Sequence, residues 1–211
     1  MANIFSRGYK DTNFDDELIS KVMYCPDCGC PLILKNGNLE ITEEDSDSDE
    51  SENYSKTYVE YTELNKDLFD FPAYYFLSYG VPADLSLGSE TARRLNLYYH
   101  FVESISNNFE MRKAGETYLY HNLFILLISN RKFAPITMDT LESCIKELAL
   151  YCINEEIHYL AMPRIGSGKG KLDWEDVRSM IIRTFNETIK ESIKNCNCDE
   201  DYKINITFCY Q

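Results

Sequence analysis

The residues with the clearest chemical potential lie in the run Met162–Trp174, MPRIGSGKGKLDW. Gly166, Gly168 and Gly170 alternate through a turn that follows an apolar strand. Alternating glycines leave backbone N–H groups unshielded by side chains. Asp173 sits where a helix begins, with Asp176 three residues on, a weak capping-box arrangement. The start of a helix carries a partial positive charge, and Lys169 and Lys171 add to it. Together these features suit a phosphate or pyrophosphate. Neither common phosphate motif is met. A Walker A loop needs four residues between its glycines and then Lys-Ser/Thr, whereas Gly166 and Gly170 are separated by three and Leu172 follows Lys171. In GxGxxG the last glycine stands one position later than Gly170 does. A glycine-rich connection without a ligand is the plainer alternative.

Val81–Ala92, VPADLSLGSETA, is a second loop of the same kind, with Gly88 and Ser89 at its turn into a helix. It is the candidate holder of a second phosphate, although Glu90 would repel one. Asp67, in the run Asn65–Phe69 after an earlier strand, is either an acceptor for an exocyclic base amine or a turn-forming aspartate. A third group of residues is YCPDCGCPL at Tyr24–Leu32. Cys25 and Cys28 have the CxxC spacing of a zinc knuckle, followed by Gly29. Tetrahedral zinc needs four ligands. Cys30 is a third thiol, and Cys196 with Cys198 is the other close pair, able to complete a structural zinc site if the arm folds back. Reduced surface thiols are the alternative, and no βαβ pattern surrounds this CxxC to favour a redox role.

These groups must be held by a chain of 211 residues, 44% hydrophobic and 13% aromatic, with a formal charge of -14. Eight of the acidic residues, and no basic one, fall in Glu40–Glu52, leaving -6 for the remainder. That segment has one aliphatic residue, Ile41, and cannot bury enough surface to offset ordering entropy. It is expected to be a disordered linker, over 40–55, between an arm at 1–39 and a main domain at 56–211. Ser46, Ser48 and Ser51 are acceptors for an acidophilic kinase, or the stretch is simply a solvated spacer. The acidity excludes charge-driven coating of nucleic acid or anionic membrane. No apolar run spans a bilayer, and Met1–Lys10 lacks a signal-peptide core. An intracellular protein of nucleus or cytoplasm is expected, monomeric, with no membrane partner.

Within the main domain, Thr57–Leu64, Tyr74–Val81, Glu116–His121, Leu123–Ser129, Ile157–Met162 and Ile204–Cys209 read as strands, the third and fourth joined at His121-Asn122. Thr91–Ile105 reads as one helix, a second opens at Thr137, and a third runs over Asp173–Lys194. Strands alternating with helices predict an α/β fold with a mostly parallel sheet. Ligands in such folds bind at the carboxyl ends of the strands, which is where both glycine loops fall.

The run AMPRIGSGKGKLDWEDVRSMI, with KDLFDFPAYYFLSYGVPADLSLG before it and ITFCYQ at the end, resembles a macrodomain. It is most similar to the subfamily of the terminal ADP-ribose protein glycohydrolase, with the DNA ADP-ribosyl hydrolases of toxin–antitoxin systems as a second relative. The resemblance covers roughly residues 57–211. It implies a three-layer α/β/α sandwich with a mixed, mostly parallel sheet that binds ADP-ribose, alone or on a protein or nucleic acid. Adenine would lie near Asp67 and Leu68, and the diphosphate between the two loops. The implied ligand contacts are Gly88, Ser89, Arg164, Ile165, Gly166, Ser167, Gly168, Lys169, Gly170 and the terminal Gln211. In the glycohydrolase a lysine attacks the anomeric carbon and an aspartate assists, with no catalytic cofactor. The lysine matches Lys113 in Arg112-Lys113-Ala114-Gly115-Glu116. A lysine serves as nucleophile once its amine is neutral, which a neighbouring cation such as Arg112 favours. The aspartate position carries Gly170, and the second glycine of the family's Gly-x-Gly-x-Ala turn is Glu90. Three readings follow: a lysine-dependent ADP-ribosyl hydrolase, an inactive ADP-ribose reader, and a macrodomain-based protein-interaction module.

Overall fold

The computed structural model describes residues 19–20, 57–108, 112–168, 171–196 and 201–210. The acidic linker, Cys25, Cys28, Cys198, Lys169, Gly170 and Gln211 lie outside the described residues, as does the side chain of Cys196.

Leu123–Ser129 (β5, LFILLIS) is buried at all seven positions. A strand apolar on both faces must be covered on both, which places it inside a layered α/β sheet rather than at a wet surface. Its neighbours are Phe76–Pro82 (β3), parallel to it, and Thr117–Tyr120 (β4), antiparallel across the His121-Asn122 turn. Beyond β3 the sheet continues in parallel through Tyr159–Pro163 (β6), Ile204–Tyr210 (β7) and Val59–Asn65 (β2). Ile19–Ser20 (β1) adds two antiparallel residues beside β4. The order is β1-β4-β5-β3-β6-β7-β2.

Glu90–Tyr99 (α1) and Phe101–Asn108 (α2) cover one face of this sheet, and Met138–Asn154 (α3) and Trp174–Cys196 (α4) cover the other. The second face is the larger core, built around Phe124, Leu148, Ile181, Phe185 and Phe208, all inaccessible to solvent. At roughly 1.5–3 kcal/mol for each large side chain removed from water, this layer dominates the folding energy. Three thiols, Cys144, Cys152 and Cys209, are buried and unpaired in disulfides. Burial pushes the Cys144 thiol up to about 12 and that of Cys209 up to about 11.

The single helix expected over Thr91–Ile105 is two. His100 takes the left-handed conformation (φ 54°) and donates its N–H to the Asn96 carbonyl at 2.8 Å. Asn96 Oδ1 then accepts from the Val102 N–H at 2.9 Å, opening α2. Leu95 and Phe101 are both fully buried. Six residues apart, in a continuous helix they would lie about 120° apart around the axis. The break turns both toward the sheet and leaves Tyr98 60% exposed. The predicted Thr137 and Asp173 helix starts are both capped: Thr137 Oγ1 accepts from the Thr140 N–H and Asp173 Oδ1 from Glu175 and Asp176.

Candidate functional site

β2, β3, β5, β6 and β7 run in one direction, so their exits share one edge of the sheet. Because β4 is antiparallel, the segment that enters it, with Lys113 and Glu116, lies on that same edge. Gly115 N–H donates to the Leu127 carbonyl at 2.8 Å, tying this segment to the end of β5. Gly115 has φ +101°, and a Cβ there would meet Ser143 at 3.3 Å, so a side chain is disfavoured twice. Glu116 Oε2 accepts from the Lys113 N–H at 3.1 Å and from the Tyr118 hydroxyl at 2.7 Å. Burial and the Glu116 carboxylate push the Tyr118 hydroxyl well above its ordinary value, keeping it a donor. The Lys113 side chain is exposed. Arg112 Nε donates to the Ala83 carbonyl at 3.2 Å, which fixes the Lys113 segment against the first glycine loop.

That first loop is stitched to its other neighbour by Asp84, which accepts from the Ser86 N–H at 3.0 Å and from the Lys132 N–H at 2.9 Å. Burial raises the Asp84 carboxyl, but the Ser86 hydroxyl and the Lys132 amide outweigh it and hold the group below the usual carboxylate range. Ser89 caps α1, accepting from Ala92 N–H at 3.0 Å, and its hydroxyl lies 2.7 Å from the Tyr79 hydroxyl. Gly88 comes near the Lys132 side chain, 3.8 Å from its added Cβ. Glu90 turns its carboxylate to Arg93 at 2.9 Å on the exposed side of the helix. The repulsive charge expected at this loop is therefore paired.

In the second loop Ile165 is buried and anchors the chain. Gly166 has φ +80°, and a Cβ would approach Leu172 Cδ1 to 3.0 Å, so this glycine is required by backbone and packing together. Its carbonyl accepts from the Leu172 N–H at 3.1 Å, and the Gly168 carbonyl from the Lys171 N–H at 3.2 Å. Above Gly168 a Cβ would meet nothing within 4 Å. The Ser167 hydroxyl donates to the Arg164 carbonyl at 2.8 Å. At the opening of α4 the expected cap forms, and Asp173 takes the amides of Glu175 and Asp176. The donors left for an anion are those of the loop itself.

Glu63, near the end of β2, organises the far side of this loop. It accepts from Arg164, from Arg178 at 2.8 Å and from the Trp174 indole at 3.1 Å. Arg164 also lies over the Tyr210 ring at 4.2 Å, and its buried Nε has no hydrogen-bond partner among the described residues. Burial raises the Glu63 carboxyl, but Arg178, Arg164 and Trp174 bring it down to about 2. No local pattern marked Glu63, because its partners lie 101 to 115 residues away in the chain.

Asp67 caps a single 3-10 turn, Leu68–Asp70, accepting from the Phe69 N–H at 3.0 Å through Oδ1. Oδ2 accepts from Arg94 of α1 at 2.9 Å. Burial raises its carboxyl, and the Phe69 amide and the Arg94 guanidinium together bring it below the usual range. Leu68 is buried in the smaller core. The edge thus brings Asp67, Leu68, Gly88, Ser89, Lys113 and Arg164–Gly168 to one side of the sheet. Among the described residues no three His, Cys, Asp or Glu side chains converge as for a metal. No helix there is long and apolar enough to cross a membrane.

No model of a known protein family matches the chain. In sequence it is similar to the human ADP-ribose glycohydrolase OARD1, 26% identical over 131 residues, which is 60% of this chain and 85% of that protein. In structure it is similar to the Mycobacterium tuberculosis DarG macrodomain (TM-score 0.55, 16% identity, 72% of this chain and 99% of that one). It is also similar to Thermosipho africanus DarTG, solved in complex with ADP-ribose (TM-score 0.52, 15% identity, 70% of this chain and 41% of that one). With a mixed, mostly parallel sheet between two helical layers, this chain has the macrodomain fold seen in the DarG macrodomains and is related in sequence to OARD1 at 26% identity.

Proposed function

We propose that this macrodomain binds ADP-ribose across the carboxyl edge of its sheet and removes it from a modified protein or nucleic acid, with Lys113 as nucleophile. The observation that carries the reading is the reversal of β4, which brings Lys113-Ala114-Gly115-Glu116 to the same edge as Asp67 and the two loops. The names of its relatives support the substrate class: OARD1 is an ADP-ribose glycohydrolase, and DarTG was solved with ADP-ribose. In this reading Asp67 accepts from the adenine amine through its remaining lone pairs, and amides of the loop at Gly166 and Gly168 receive the diphosphate.

The neutral Lys113 amine attacks the anomeric carbon. The bond from that carbon to the carrier breaks, and the carrier leaves with the bonding pair. Water then releases ADP-ribose and restores the amine. Glu116 holds the Lys113 backbone and fixes where the lysine starts its reach.

Calorimetric titration with ADP-ribose, followed by incubation with Glu/Asp-linked ADP-ribosylated protein and with ADP-ribosylated DNA, tests this. Binding is expected, with turnover on at least one carrier that falls on the order of 100-fold or more in Lys113→Ala. Absence of binding overturns the whole reading. A second reading, a reader that binds without turnover, is favoured by Gly170 at the position of the assisting aspartate. It prevails if both carriers keep their ADP-ribose and Lys113→Ala changes nothing.

A further inference from the structure

Arg94 occupies an unusual place beside Asp67. It projects from the second turn of α1, pairs with Asp67 Oδ2 at 2.9 Å, and lays its guanidinium over the ring of Phe69, 4.0 Å from the centroid. Phe69 is itself packed against the smaller core. The ring and the Asp67 carboxylate therefore hold the guanidinium at two points. The Arg94 side chain is still 46% exposed. A guanidinium held against an aromatic ring and a carboxylate while still half exposed keeps surface for a planar ligand.

From this geometry we infer that Arg94 is a specificity-determining residue, the stacking platform for the adenine base. The inference rests on the ADP-ribose reading above and extends it to a residue on another element. Guanidinium planes stack on nucleobases and aromatic rings, where an ammonium acts only as a point charge. A base lying on Arg94 sits at the end of a Phe69–guanidinium–base stack, with the Asp67 carboxylate at its rim. One arginine thus supplies the face, and the carboxylate that orients it supplies the edge acceptor. Asp67 keeps this second function because a carboxylate has about four lone-pair positions and the Phe69 amide and Arg94 use two.

The test is calorimetry on the full chain with two probes, ADP-ribose and base-free diribosyl diphosphate, the latter at millimolar concentration. The proteins are the unsubstituted chain, Arg94→Ala and Arg94→Lys, with thermal melts to show that each variant folds. Arg94→Ala is expected to weaken ADP-ribose by about tenfold, the scale of one lost base stack, and to leave the base-free probe unchanged. Arg94→Lys keeps the charge beside Asp67 and loses the plane, so it should weaken ADP-ribose about as much. An undiminished ADP-ribose affinity in Arg94→Ala, an equal loss for both probes, or full rescue by lysine overturns the platform while leaving the parent reading intact. Failure of the unsubstituted chain to bind ADP-ribose overturns both.

Discussion

Glu63 and Asp67 stand four residues apart, at the end of β2 and just beyond it, and each holds an arginine from another element. Their surroundings differ. Glu63 receives two guanidinium groups and an indole N–H, closing β2, the second loop and the start of α4 onto one carboxylate. Asp67 receives one backbone amide and one guanidinium, and its arginine is about half exposed. A carboxylate that gathers three donors from the second loop and α4 has architecture as its task. One that keeps lone pairs beside an exposed cation retains the capacity to recognise something. Charge and position in the fold are nearly the same; the number of donors separates the two.

The sharpest way to break this comparison is to truncate each carboxylate and read both binding and stability. Asp67→Ala should weaken ADP-ribose by about 30-fold, the scale of a lost hydrogen bond to a charged group, while lowering Tm by only about 2 °C. Glu63→Ala should do the reverse: Tm falls by about 5 °C, since two cations lose their shared partner, and affinity falls less than in Asp67→Ala. Equal effects of the two truncations on both measurements would dissolve the distinction.

Acid titration gives a smaller signal with a defined sign. The Glu63 carboxyl is depressed from its ordinary 4.5 to about 2. Its stabilising contribution is therefore complete above about pH 4.5 and is lost as pH falls toward 2. The Tm difference between the unsubstituted chain and Glu63→Gln should stay constant from pH 7 to 5 and then narrow; a gap that widens in acid would contradict the assignment. The smallest effect belongs to Trp174→Phe, which keeps a ring near Arg164 and Phe208 but removes one donor to Glu63. It should cost about 1 kcal/mol, seen as a Tm shift of under about 4 °C.

What the sequence could and could not disclose follows the same division between local and distant partners. β5 was legible because six consecutive apolar residues, Leu123 to Ile128, admit few other fates. The Thr137 and Asp173 caps were legible because a cap and the amides it serves lie within three residues. The helix break at His100 carried no glycine or proline, and only the need to bury both Leu95 and Phe101 explains it. Asp67 and the glycine loops were visible as motifs, yet Arg94 and Glu63 were not, since what they do depends on partners brought close by the sheet. The loop glycines also proved unequal: Gly166 is demanded by φ and packing, whereas Gly168 faces open space.

The three core thiols give the folded state an internal clock. Of eight cysteines, Cys144, Cys152 and Cys209 are buried with their thiols pushed up by burial, so almost none of each exists as the reactive thiolate at neutral pH. Cys144 and Cys152 lie on α3 in the larger core, and Cys209 lies on β7 in the smaller one. An alkylating reagent can reach them only when those elements part. Mass spectrometry of labelling against time would therefore time the separation of α3 and of β7 independently, from residues already in place.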